Sequence, residues 1–316
     1  MRKLFVALLM GALTLGLGGL AAPAQAAAFD ISNPPARYSA AYEKSHTLKG
    51  VQAPKGKLGY NPNARLLTGP YYFYAGASQY LASTESAKSY GANLHIQLPY
   101  MDTTNDSHTL GEIAVQSHDQ QQAVEIGWTH DLVVCGAGNS PCLFAGAWKN
   151  GVFLGYNTQF VDWAATAINL GATLPTGTPK RFLVMYDSGV WWVAYDSQWI
   201  GYFPHNTICG AAPGALTFDK FGVAQGFYEV ATKTTGDNTP CTDMGNGEQG
   251  NSVAGTSARV GTSALGGTLP GAIANNFTGF SFGTEYTHNT VSAQTTRAGG
   301  PGYNAAGTGV GSIGSC

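Results

Sequence analysis

The chain has 316 residues, of which 11% are charged, with a formal net charge of −2 and a pI of about 6.4. A typical soluble protein carries about 25% charged residues. The sequence has no basic stripe for nucleic acid and no polybasic helix for a membrane surface. Its length fits one large β domain or two small ones. Because acid unfolding depends largely on titrating carboxylates, the scarcity of charge also predicts tolerance of low pH.

The first 26 residues have the pattern of a signal peptide. A positively charged start, Met1–Lys3, precedes an apolar run, Leu4–Leu20, and Ala24–Ala26 forms an A-x-A cleavage site. The apolar run is short for a transmembrane helix, and no later stretch approaches about 18 consecutive apolar residues. The sequence therefore predicts a secreted, extracellular protein without a membrane span.

Residues 27–70 are rich in Pro, Lys, Asn and Gly, which predicts an extended leader or short pro-segment rather than a packed core. Residues 71–232 change to aromatic and β-branched runs separated by turn residues. Short strands at this spacing predict an antiparallel sandwich or barrel. The clearest runs are 92–98, 113–116, 124–130, 182–186, 190–195 and 199–203.

Residues 233–316 form a C-terminal extension dominated by Gly, Thr, Ser, Ala and Asn. Its one convincing strand is Phe277–Tyr286. We expect this extension to pack on the core or to be tethered to it by Cys316, because cysteines in exported proteins commonly form stabilising disulfide bonds.

Five cysteines in an exported chain predict disulfide bonds and one remaining thiol. Cys135 and Cys142 enclose a short loop of turn-forming residues and are the best candidate pair. Cys209, Cys241 and Cys316 compete for a second bridge, for which we favour Cys241 with Cys316. The chain has no CxxC or HExxH motif and its histidines are scattered, so we expect no metal site and no cofactor.

Two glutamates stand alone in uncharged, strand-like segments: Glu125 in AVEIGW and Glu229 in GFYEVA. Alternation along a strand places Glu125 among small residues, and Glu229 on one face with Phe227 and Gln225. A buried carboxylate without a partner is costly, so such groups find hydrogen bonds, share a proton or take part in catalysis. If the two meet, one can activate water while the other donates a proton. A strand glutamate is otherwise most often a solvated residue on an open face.

Three segments, taken in chain order, resemble the neprosin family of glutamic endopeptidases. Val124–Trp128 is similar to the family's EAGW motif, and Trp191-Trp192 followed by Gly201–Pro204 is similar to its WW…GYWP hairpin. Gln225–Val230 resembles its GGEV motif, with Phe-Tyr in place of the Gly-Gly pair. The resemblance covers about half of the chain, and the two glutamates have the spacing of the family, about a hundred residues.

The resemblance implies an all-β fold, an antiparallel β-sandwich of two large sheets that frame a catalytic cleft. It implies that Glu125 and Glu229 activate water to hydrolyse peptide bonds at acidic pH, with no metal and no covalent intermediate. Plant members prefer to cut after proline. Trp128, Tyr202 and Gln225 are candidates for the substrate cleft. We expect protein or peptide substrates as the partners of a monomer.

The sequence is also compatible with two other functions. A glycoside hydrolase also uses two carboxylates and also occurs on β-sandwiches. It would release reducing sugar from a polysaccharide without cleaving unstructured protein. A carbohydrate-binding surface module would bind through exposed tryptophans, and its binding would tolerate glutamine at both glutamate positions.

Overall fold

The computed structural model describes residues 30, 33–53, 55–56, 72–82, 87–97, 100–136, 140–209, 218–233, 240–247, 258–263, 278–282, 287–288, 292–295 and 304–311. The predicted signal peptide, residues 1–26, lies outside these ranges. The described residues contain sixteen strands and two short helices, α1 (Ala40–His46) and α2 (His205–Ile208). None of the described helices is long and apolar enough to span a membrane.

The strands are β1 (Tyr72–Tyr80), β2 (Ser89–His95), β3 (Asp106–Gln116), β4 (Ala123–Asp131), β5 (Cys142–Lys149), β6 (Val152–Phe153), β7 (Val161–Asp162), β8 (Pro179–Asp187), β9 (Val190–Tyr195), β10 (Gln198–Pro204), β11 (Val223–Thr232), β12 (Ala258–Ser263), β13 (Thr278–Phe282), β14 (Thr287–His288), β15 (Ser292–Thr295) and β16 (Asn304–Gly311).

These strands form two antiparallel sheets. The first sheet has seven strands in the order β13-β1-β11-β3-β4-β5-β6. The second has nine, in the order β14-β16-β12-β2-β8-β9-β10-β7, with β15 paired to β16. Neither sheet closes into a barrel. The predicted antiparallel β-sandwich is therefore confirmed.

The main hydrophobic core lies between the inner faces of the two sheets. Val124, Ile126 and Trp128 of β4 contribute to it from the first sheet, and Trp191 and Val193 of β9 from the second. These positions alternate with outward-facing residues, as the two-residue period of a strand requires. Full burial of a large apolar side chain contributes about 1.5–3 kcal/mol, so this layer holds the two sheets together.

Trp128 belongs to this core, and its assignment to a substrate cleft is wrong. Its side chain is fully buried, and its Nε1 donates a 3.0 Å hydrogen bond to the carbonyl of His95. Its ring meets Tyr228 edge-on. Trp128 lies three positions after Glu125 in one strand, so alternation places the two side chains on opposite faces of the sheet.

Tyr202 is likewise no part of a cleft, which corrects its sequence-based assignment. It packs with Trp192 on the outer face of the second sheet, under α1. Its hydroxyl donates to Glu43 at 2.9 Å and accepts from the backbone N–H of Tyr38 at 3.0 Å. The neighbouring residue, Phe203, points to the main core instead. The GYFP segment therefore serves packing between the N-terminal helix and the domain.

The described part of residues 33–56 lies against the domain, where the sequence predicts an unpacked leader. Ser39 caps α1 by accepting a hydrogen bond from the N–H of Tyr42. After the helix, Thr47 bridges to Val161 and Val51 bridges to Tyr156. These bridges guide the chain across the outer face of the first sheet.

The C-terminal extension contributes strands to both sheets, because β12 pairs with β2 and β13 pairs with β1. The predicted Cys135–Cys142 disulfide is confirmed. Cys241 is also disulfide-bonded, while its predicted partner Cys316 lies outside the described residues. Cys209 is a buried free thiol.

Candidate active site

Three glutamates share the outer face of the first sheet, and strand register brings them together. Glu229 on β11 is paired with Leu110 on β3, two residues before Glu112. Glu125 on β4 is paired with Ala114, two residues after Glu112. Since residues two apart in a strand point to the same face, Glu112 lies between the other two. The pairing of central strands thus joins side chains that are far apart in sequence.

The space beside Glu125 depends on a glycine. Gly146 on β5 lies directly opposite it. A Cβ atom at this position would lie 3.2 Å from Oε2 of Glu125 and 2.8 Å from the ring of Phe153. Glycine therefore lets the carboxyl and the aromatic ring fit side by side over the sheet.

The ammonium of Lys55 sits over all three carboxylates. Its Nζ lies 2.7 Å from Oε1 of Glu112, 3.5 Å from Oε2 of Glu229 and 3.8 Å from Oε2 of Glu125. The carboxylates of Glu125 and Glu229 are thus within about 7 Å of each other, because both lie next to one nitrogen atom. All four side chains are at most 3% exposed.

Glu229 has two further hydrogen-bond donors. The Nε2 atom of His108 lies 2.7 Å from Oε1 of Glu229, and the backbone N–H of Gly56 donates to the same oxygen at 3.2 Å. The other ring nitrogen of His108 lies 3.7 Å from a carboxylate oxygen of Asp131. A carboxylate that receives several charge-assisted hydrogen bonds is stabilised in its ionised form.

These environments separate the pKa values of the glutamates. Burial would raise the pKa of Glu229, but Lys55, His108 and the N–H of Gly56 together hold it below its usual value. Burial raises the pKa of Glu125, although Lys55 and the indole of Trp148 oppose the shift. Two carboxyls with opposite shifts can act as a base and an acid at one pH.

Glu112 has the strongest tendency to hold a proton. Its burial, and then the charge of Glu125, raise its pKa well above the usual range, and Lys55 only partly compensates. Lys55 itself is driven to stay charged, because the attraction of the three glutamates exceeds the penalty of its own burial and raises its pKa. The site as a whole therefore holds one cation among three acidic groups.

The chain matches a family model described as Neprosin over residues 105–265, slightly more than half of its length. The chain belongs to the Neprosin family. This agrees with the resemblance of its sequence motifs, and it makes the chain a peptidase at the family level. No curated protein matches the chain.

Several solved structures are similar to this Neprosin-family chain at low identity. Scytalido-glutamic peptidase with a peptide-based transition state analog has 10% identity and a TM-score of 0.35, covering 77% of this chain and 99% of that chain. CG-16, a homodimeric agglutinin from chicken liver, has 8% identity and a TM-score of 0.29 (50% and 96% covered). The carbohydrate-binding module CBM66 from Bacillus subtilis has 9% identity and a TM-score of 0.26 (52% and 80% covered).

The two glutamates of the Neprosin motifs, Glu125 and Glu229, are the pair that the structure brings together. Gln225 lies on the same face, directly across Ala114 from Glu125, and its side-chain oxygen accepts a 2.7 Å hydrogen bond from Gln116. Its role in a substrate cleft stays a prediction. Among the described residues, no group of three or more His, Cys, Asp or Glu side chains has an arrangement able to hold a metal ion.

Sequence reasoning missed Glu112, His108 and Lys55. A usable signal existed for the first two, since strand alternation from His108 passes through Glu112 to Gln116 and marks one polar face. Lys55 carried no such signal, because it lies in a proline- and glycine-containing segment that predicts only a loop.

Proposed function

We propose that the protein is a secreted, acid-acting glutamic endopeptidase that hydrolyses peptide bonds with Glu125 and Glu229. One observation carries the proposal: these two carboxylates lie beside a single nitrogen atom, 3.8 and 3.5 Å away, in a buried site. A water molecule in the place of that nitrogen would be within reach of both groups. Membership of the Neprosin family supports the reaction class.

In this proposal Glu229 is the general base. His108 still lowers the pKa of Glu229 once Lys55 and Gly56 have left and so favours the ionised form in mild acid, in which Glu229 can remove a proton from water as the water oxygen attacks the peptide carbonyl carbon. Glu125, whose pKa is raised, is protonated at the same pH. It donates a hydrogen bond to the carbonyl oxygen, which becomes negative in the tetrahedral intermediate.

The intermediate then collapses with proton transfer to the leaving amine. The proton that Glu229 accepted moves to the amine nitrogen as the C–N bond breaks, which leaves a carboxylic acid, an amine and the original state of both glutamates. All steps use carboxyl groups and water, so the proposal requires neither a metal ion nor a covalent intermediate. Gln225 is a candidate to bind the substrate beside Glu125.

The leader segment must leave before a substrate can bind. Lys55 fills the space between the glutamates, and the N–H of Gly56 bonds to Glu229. We therefore propose that the exported chain is latent and that residues 27–70 act as a pro-segment, removed in acid. N-terminal sequencing after a drop to pH 4 should give a new start between Ala27 and Tyr71. An unchanged Ala27 terminus in fully active material would rule out this step.

The peptidase activity is tested with casein or gliadin across pH 3 to 7, using secreted wild-type protein and the double variant Glu125→Gln, Glu229→Gln. We expect cleavage by the wild type only. Asp196→Asn is the control, because Asp196 is a carboxylate that pairs with Lys180 at 2.8 Å on the second sheet of the domain. Full proteolysis by the double variant would end the proposal. Mapping the cleaved bonds tests the preference for proline.

A further inference from the structure

Glu112 is the nearest acidic partner of Lys55, yet it is neither of the two family glutamates. Its Oε1 lies 2.7 Å from Nζ, compared with 3.5 Å for Glu229 and 3.8 Å for Glu125. The side chain of Glu112 is completely buried. The leader is therefore held chiefly by a carboxylate that the proposed reaction does not use.

Glu112 also depends on Lys55 more than the other glutamates do. Its second oxygen, Oε2, is buried without a hydrogen-bond partner, and Lys55 is the cation that it contacts among the described residues. Glu229, in contrast, also has His108 and the N–H of Gly56. An ionised carboxylate that loses its one buried cation is strongly destabilised, and it takes up a proton instead.

We propose that Glu112 is the anchor that retains the leader in the active site, and that protonation of Glu112 releases Lys55 in acid. The inference rests on the proposed function, because it concerns the regulation of the same site. In this proposal Glu125 and Glu229 carry out the reaction, and Glu112 keeps the protein latent. Glu112 acts through Lys55 and is a positioning residue.

The pH dependence follows from the groups around Glu112. Lys55 lowers the pKa of Glu112 while the leader is seated, and burial and Glu125 raise it. Glu112 thus has a lower pKa with the leader bound than after the leader has left. The leader binds most firmly above the pKa of the leader-free protein, and its retention is lost as pH falls through the pKa of the leader-bound protein. The titratable groups that interact with Glu112 are Lys55 of the leader, Tyr74 of β1, Glu125 of β4, Tyr156 of the loop after β6, and Glu229 of β11, which in turn contacts His108 of β3.

Hydrogen–deuterium exchange of residues 51–56 measures leader release without any reference to proteolysis. The full chain is compared with Glu112→Gln at pH 4 to 8, with exchange corrected for its intrinsic pH dependence and read only while the intact mass shows that the leader is still attached. We expect wild-type protection at pH 7 that disappears towards pH 4, and at least about tenfold faster exchange in Glu112→Gln at pH 7. Asp196→Asn, which removes the carboxylate of a 2.8 Å ion pair with Lys180 on the second sheet, should behave like the wild type.

Lys55→Met provides the second arm, because it changes only the leader side chain and remains informative if Glu112→Gln does not fold. We expect weak protection of residues 51–56 at every pH. The control variant Lys49→Met replaces an exposed lysine of the same leader and should keep the wild-type exchange profile. Wild-type protection with the wild-type pH transition in either Glu112→Gln or Lys55→Met overturns the anchor. A chain with the expected exchange behaviour and no peptidase activity would instead refute the proposed function alone.

Discussion

The ammonium of Lys55 forms a buried 2.7 Å ion pair with Glu112, across 57 positions of sequence. A buried ion pair adds little net stability compared with apolar packing, but removal of one partner leaves an uncompensated charge. Such a pair is well suited to a reversible contact, because a single proton can abolish it. The N-terminal segment and the acidic site are therefore coupled through pH.

The activity of the trimmed protein should depend on pH as a bell-shaped curve in the acidic range. Activity rises as pH increases through the pKa of Glu229, which His108 still lowers after the leader has left, since the base must be ionised. It falls as pH increases through the raised pKa of Glu125, since the acid must be protonated. Lys55 lowers the pKa of both glutamates while the leader is bound, so both pKa values rise when Lys55 leaves with the leader. The measurement is kcat/KM between pH 2 and 8, and an optimum above neutrality would contradict the assigned roles.

Replacement of His108 should shift the acid limb of that curve. His108 lowers the pKa of Glu229 through a 2.7 Å contact. His108→Gln keeps a hydrogen-bond donor but removes the electrostatic stabilisation of the carboxylate by the imidazole, so the acid limb should move to higher pH. The exposed histidine His118 provides the control variant His118→Gln. An acid limb that stays in place in His108→Gln would show that His108 does not set the ionisation of Glu229.

Substitution of Gly56 by alanine should weaken latency. A Cβ atom at this position would overlap the hydroxyl of Tyr74 and would lie 2.6 Å from Oε2 of Glu229. The leader backbone then has to move away, so Gly56→Ala should become active at a higher pH than the wild type, with faster trimming. Appearance of the trimmed chain on gels after stepwise acidification measures this. Ser45→Ala, an exposed change in the same leader, is the control, and equal trimming of Gly56→Ala and wild type would argue against a close fit at Gly56.

Trp128→Phe should reduce stability without changing substrate preference. The indole N–H donates to the carbonyl of His95 inside the main core. Its loss should cost about 0.5–1.5 kcal/mol, because the hydroxyl of Tyr228 still donates to the same carbonyl. Urea unfolding measures the loss. The set of peptide bonds cleaved in casein should match that of the wild type. A changed cleavage pattern would indicate that Trp128 contacts the substrate.

Local sequence patterns were sufficient for the fold class and for the faces of single strands. In β4 the alternation of Val124, Ile126 and Trp128 with Glu125 predicts which side chains are buried in the core, and the structure has them there. The same alternation argues against Trp128 as a cleft residue. For Tyr202 no local pattern was enough, because both faces of β10 are covered and the cover on one of them is α1.

By itself the sequence determined the β architecture, the Cys135–Cys142 bridge and the two glutamates of the family motifs, because each depends on neighbours within a few positions. Only the tertiary structure decided that Glu112 lies between those glutamates and that Lys55 reaches all three. The physical reason is that both facts depend on strand pairing and on the path of the leader over the sheet. Burial and charge at such a site come from residues distant in sequence, and these set the pKa values on which the proposed chemistry depends.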